Sequence, residues 1–119
     1  MHPIIQGLMD IFDGFRHAHG TYSGHLASQE GGPKLKGRAI SIPRDVTSTE
    51  WERHVAGEVG LGIIPIDENS EVKFAAIDID SYGDSISKKV NIRIQQLKLP
   101  LIVCTTKSGG AHVYLFMRE

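Results

Sequence analysis

Two stretches decide the reading of this chain: Phe74-Ala75-Ala76-Ile77-Asp78-Ile79-Asp80, and Ser108-Gly109-Gly110-Ala111-His112-Val113-Tyr114-Leu115-Phe116. The first reads as an apolar strand that ends in two acids. Alternate side chains of a strand share a face, so Asp78 and Asp80 point the same way, roughly 7 Å apart along the backbone. Paired carboxylates of this kind suit hard divalent cations such as Mg²⁺ or Mn²⁺, which take oxygen ligands and keep positions open for phosphate. The same acids also suit the turn that follows, Ser81-Tyr82-Gly83-Asp84, because Asp is a common turn residue. Ala75, Ala76 and Ile77 are apolar on both faces, which predicts a central, covered strand.

The second stretch reads as half of a β-hairpin. Leu101 to Thr105 is a short, β-branched apolar run and Ala111 to Phe116 is another, with Lys107-Ser108-Gly109-Gly110 between them. Gly-Gly suits a tight hairpin turn. The tip also gathers phosphate chemistry: the Lys107 cation, the Ser108 hydroxyl, the backbone N–H groups of Gly109 and Gly110, and His112 on the return strand.

Taken together and in this order, Asp78-Ile79-Asp80 and Ser108-Gly109-Gly110-Ala111-His112 resemble the archaeo-eukaryotic primase superfamily, with the primase-polymerases of phages, plasmids and mobile elements as look-alikes. Trp51-Glu52-Arg53-His54 and Gly60 to Ile66 resemble that family's approach to the first motif. The resemblance spans roughly residues 11 to 117. It implies that Asp78 and Asp80 hold the catalytic Mg²⁺ or Mn²⁺. Ser108 and His112 then hold the triphosphate, with Lys107, Gly109 and Gly110 beside them. The implied activity is nucleotidyl transfer: template-directed primer synthesis or extension from NTP or dNTP, on a DNA template and primer, in a cytoplasmic protein that can work with a helicase. The family carries a third acid on a later strand, and this chain stops at Glu119, so residues 1–119 are expected to be a single, truncated catalytic domain. The implied fold is α+β: a mainly antiparallel, twisted sheet with packed helices, comprising a primase-type α/β unit and the first half of an RRM-like catalytic half. Two other classes fit the same acids: a metal-dependent nuclease or phosphohydrolase, and a non-catalytic nucleic-acid-binding fragment.

Composition sets the bounds. A chain of 119 residues is one domain or part of one. Its net charge of −1 gives no global attraction to nucleic acid, so any such contact comes from local clusters. The cluster Lys34, Lys36 and Arg38 lies in the glycine- and proline-rich stretch 20–46 and is the expected phosphate-binding loop; a solvated surface loop accounts for it as well. Residues 35–42 alternate weakly, so part of that stretch can be a strand. Aromatics make up only 7%, against a general stacking platform. The lone cysteine, Cys104, excludes an intrachain disulfide and suits a small buried hydrophobe in a reducing setting. No apolar run reaches the length of a membrane span, and no basic region precedes an apolar one near the N-terminus.

The remaining elements follow from periodicity. Ile4, Ile5, Leu8, Met9, Ile11, Phe12 and Phe15 predict an amphipathic helix that stops near Gly20. His17-Ala18-His19 is similar to the metal-binding pair of rolling-circle replication nucleases, where it sits on a strand. Here it is expected at a helix end, where histidine meets the helix dipole and i, i+2 spacing splays the rings. Thr47-Ser48-Thr49-Glu50 is a capping box for a helix from Ser48 to about Ala56, closed by Gly57, with Trp51 and Val55 inward and His54 partly buried. Gly60 to Ile66, the turn Asp67-Glu68-Asn69-Ser70 and Val72 to Asp80 predict a hairpin. Ile86, Val90, Ile94 and Leu97 form the stripe of a last helix, which Asp84 or Ser85 begins and Leu99-Pro100 ends. The strand after it can pair alongside the Asp strand.

Overall fold

A computed structural model describes residues 2–23, 38–81, 85–106 and 108–117. The chain falls into two compact units, Met1–Glu71 and Val72–Glu119. Each contains a small antiparallel sheet with helical cover, giving the expected α+β class.

The first unit holds α1 (Pro3–Ile11), β1 (Phe15–Ser23), β2 (Arg38–Ile42), α2 (Ser48–Val55) and β3 (Gly60–Ile64), with sheet order β2-β1-β3. Helix α1 starts with proline in its first turn and with the His2 Nδ1 accepting from the Ile4 N–H at 3.2 Å. It is shorter than its periodicity predicts. The backbone at Gly14 passes so close to the Ile64 carbonyl oxygen that an added Cβ would lie 2.1 Å from it. The chain therefore leaves the helix before Gly14 and runs on as β1. Phe15, His17 and His19 consequently stand on a strand, not on a helix or at its end. Phe12 stacks on Trp51, with ring centroids 6.1 Å apart, and Trp51 and Ile5 are buried.

The capping box forms as read from the sequence. The Thr49 N–H donates to Thr47 Oγ1, and the Thr47 N–H donates to Glu50 Oε2 at 2.6 Å. Burial pushes the Glu50 carboxyl up, but the bonds from the Thr47 hydroxyl and backbone outweigh it and hold the carboxyl below its ordinary range. Gly57 follows with φ +80°. Trp51 points inward as expected; Val55 and His54 are exposed. His54 Nδ1 pairs with the Val59 carbonyl at 3.0 Å, and its ring meets the Trp51 edge.

The second unit holds β4 (Phe74–Ile79), α3 (Ile86–Leu97), β5 (Ile102–Thr105) and β6 (Ala111–Phe116), with sheet order β4-β6-β5. Both outer strands run antiparallel to β6, so they are parallel to each other, and α3 makes the crossover between them. This is a split β-α-β arrangement, the connectivity of the first half of an RRM-like sheet. It corrects three expectations. The expected turn closes, with the Asp67 N–H donating to the Glu71 carbonyl at 3.0 Å, but β3 pairs with β1 and β4 with β6, so the strands on either side of it join different sheets. β5 pairs with β6 rather than with the Asp strand. The central strand is β6; among the described residues β4 pairs only with β6 and is an edge, and Ile77 is 60% exposed.

The register sorts the two faces. Ala111, Val113 and Thr105 share the face that carries α3: Ala111, Val113 and Ile94 are buried, and the Thr105 hydroxyl donates to Ser87 Oγ at 2.9 Å. Val90 is half-buried on the helix, whereas Leu97 is exposed. Asp78, Cys104, His112, Tyr114 and Phe116 share the opposite face.

Candidate active site

Asp78 and His112 are direct Cα partners across β4 and β6, and Cys104 continues the row on β5. The His112 Nε2 lies 3.5 Å from Asp78 Oδ1, and both side chains reach solvent, at 44% and 61% exposure. That separation is longer than a direct N–H···O bond, so the imidazole N–H is not committed to the carboxylate. Asp80 is exposed and follows β4 directly. Cys104 is exposed on this face rather than buried as a small hydrophobe.

The hairpin tip is built by Thr106. Its carbonyl accepts from the Gly109 N–H at 3.0 Å, its hydroxyl accepts from the Gly110 N–H at 3.0 Å, and its own N–H donates to the Gly110 carbonyl. Gly109 takes φ +88°, a backbone state that favours glycine. The two glycine N–H groups expected to face phosphate are thus used inside the turn. What the turn presents is Ser108, exposed at the tip and four residues before His112 in the sequence. Lys107 lies outside the described residues.

Tyr114 is a member of this face that motif reading did not single out. Its hydroxyl is 3.2 Å from His112 Nδ1, the two rings meet edge-on at 6.0 Å, and Tyr114 stacks on Phe116 at 5.8 Å. Burial, and to a smaller degree Cys104, push the Tyr114 phenol above its ordinary range, so it stays protonated and able to donate. The strand alternation His112-x-Tyr114 was the signal that could have found it.

Two carboxylates offer oxygen donors of the chemistry that Mg²⁺ or Mn²⁺ takes, with the remaining positions open for water and phosphate. Among the described residues no three His, Cys, Asp or Glu side chains converge as a ready-made metal cluster.

The other candidates lie in the first unit. Arg38 is exposed and pairs in register with Ser23 at the start of β2; Lys34 and Lys36 lie outside the described residues. His17 and His19 alternate on β1, but each has a local partner: His17 Nδ1 is 3.0 Å from Asp45 Oδ1, and the buried His19 places Nδ1 3.0 Å from the Arg44 carbonyl. No helix among the described residues is long and apolar enough to cross a membrane.

The second unit thus carries Asp78, His112 and Cys104 in one row on the sheet face opposite α3. The sequence model of the family described as "TOTE conflict system, Archaeo-Eukaryotic Primase domain" matches residues 32–119. The chain belongs to this archaeo-eukaryotic primase family, which points to a primase-like, nucleotidyltransferase-type function. Among curated proteins, none matches the chain significantly.

Proposed function

We propose that the chain is the nucleotidyltransferase domain of a primase-polymerase, which makes or extends a primer on a DNA template from NTP or dNTP. The observation that carries this reading is the Asp78–His112 pair on the face opposite α3, inside the region that matches the family. Asp78 and Asp80 would hold Mg²⁺ or Mn²⁺; when bound, such an ion lowers the pKa of an attacking hydroxyl and neutralises triphosphate charge. The chain's own groups position the nucleotide. His112 donates Nε2–H to a β- or γ-phosphate oxygen, and Ser108 adds a hydroxyl donor at the hairpin tip. Gly109 and Gly110 serve by forming the turn that presents Ser108. The 3′-hydroxyl oxygen, its proton passing to water, then attacks the α-phosphorus in line, the bond to the bridging oxygen breaks, and pyrophosphate leaves with the charge that His112 faces.

The test is a primer-extension assay with Mn²⁺ on the natural protein. The expected result is nucleotide addition that Asp78→Ala and Asp80→Ala each abolish. Release of nucleotides from the primer without addition would identify a nuclease instead. Metal-independent DNA binding with no turnover would identify a non-catalytic domain.

A further inference from the structure

We propose that Tyr114 is a positioning residue: its hydroxyl donates to His112 Nδ1 and fixes the imidazole as the Nε2–H tautomer, with that N–H on the side of Asp78 where a phosphate is received. The tautomer follows from geometry alone; the phosphate rests on the reading under Proposed function.

The 3.2 Å contact between the Tyr114 oxygen and His112 Nδ1 can run in two directions. An imidazole nitrogen with a free lone pair is a better acceptor than a phenol oxygen, so the O–H donates and Nδ1 carries no proton. The other ring nitrogen faces a carboxylate, which when ionised only accepts: Asp78 Oδ1 is 3.5 Å from Nε2. That carboxylate is compatible with a proton on Nε2 but, beyond direct hydrogen-bond length, does not fix it there. Without the hydroxyl, Nδ1 would lose the donor that Tyr114 supplies, and a neutral histidine there would hold its proton on either nitrogen.

The fold holds the donor in place. Residues 112 and 114 share a face of the central strand, and the Tyr114 ring is backed by Phe116 at an interplanar angle of 20°. The near-perpendicular packing of Tyr114 on His112, at 83°, brings the phenol oxygen to the ring nitrogen rather than over the ring. Among the described residues, the charged or titratable groups facing His112 are Asp78 from β4, Cys104 from β5 and Tyr114 from its own strand. Of these, Tyr114 is the one in contact with Nδ1.

The experiment is ¹⁵N NMR of the imidazole in metal-free, nucleotide-free protein, at a pH above the histidine range. The parent is expected to show His112 as Nε2–H. Tyr114→Phe keeps the ring packing and removes only the hydroxyl; it is expected to raise the Nδ1–H share several-fold. A parent ring protonated on Nδ1, or a variant with the parent's tautomer ratio, overturns the proposal. Should Tyr114→Phe not fold, the Tyr114 hydroxyl proton of the parent reads the same bond: slow exchange with a cross-peak to the His112 ring supports it, and exchange as fast as in free tyrosine overturns it. As a second readout, Tyr114→Phe should weaken triphosphate binding about 2- to 10-fold, as one ordinary hydrogen bond predicts. A parent that binds no triphosphate would sink the polymerase reading and leave the tautomer result standing.

Discussion

His112 Nε2 stands 3.5 Å from Asp78 Oδ1, and the sheet register places these two residues directly opposite each other on β6 and β4. A residue of the acid motif and a residue of the Ser–His motif thereby meet in one row. Both are substantially exposed, so each can reach a ligand without any rearrangement of the core.

Asp78→Ala or Asp80→Ala should abolish nucleotide incorporation and leave the fold intact. Each change removes a hard oxygen donor from an exposed position, where a substitution should move stability by no more than about 1 kcal/mol. Urea unfolding beside Mn²⁺-dependent extension checks both halves. Activity retained in both variants would remove the two acids from the site.

Ser108→Ala and His112→Ala should weaken triphosphate binding far more than monophosphate binding, because both groups address the β- and γ-phosphates. A charge-assisted hydrogen bond is worth roughly 1.5–3 kcal/mol, or about one to two decades in affinity. Calorimetry with the two nucleotides checks this; equal losses for both would count against it.

Neutralising Lys34, Lys36 or Arg38 should weaken DNA binding with little dependence on sequence. A cation that neutralises a DNA phosphate releases a counterion on binding, so removing it should flatten the salt slope by about one. Titrations across salt that overlay the parent would remove these three cations from the DNA-binding reading.

Two glycines of the first unit should respond in opposite directions. Gly14→Ala places a Cβ 2.1 Å from the Ile64 carbonyl oxygen, and the backbone there must shift, at a cost of about 1–3 kcal/mol. Gly7 lies within α1 with nothing within 4 Å of an added Cβ, so Gly7→Ala should stabilise by about 0.5–1 kcal/mol. Thermal melts of the two variants give the comparison; equal shifts would mean that β1 does not pack against β3 as described.

The α2 cap should make stability depend on acid. Glu50 titrates below its ordinary range when folded, so its contribution is present above the unfolded pKa of about 4.3 and is lost as pH falls through the lower folded value. Thr47→Ala should cost about 1 kcal/mol near neutral pH and flatten that dependence. Urea midpoints measured against pH, with Glu50→Gln as the uncharged reference, would reveal it; parallel curves for all three proteins would exclude it.

The sequence by itself determined what depends on neighbours along the chain. Thr47 and Glu50 are three residues apart and cap one helix end, so α2 could be placed closely. Ile86, Val90 and Ile94 recur at helical spacing, Gly109 marks the hairpin turn, and the alternation of His112 with Tyr114 sets which side chains share a face. Tertiary structure decided what depends on partners distant in sequence. Phe15 fits a helical apolar stripe as well as a strand, and the close approach of Gly14 to Ile64 selects the strand. The apolar run at residues 75–77 reads as central, yet β6 takes the central place because it pairs with both β4 and β5. Strand order and register come from long-range hydrogen bonding that local propensity does not encode. That pairing alone brought His112 opposite Asp78.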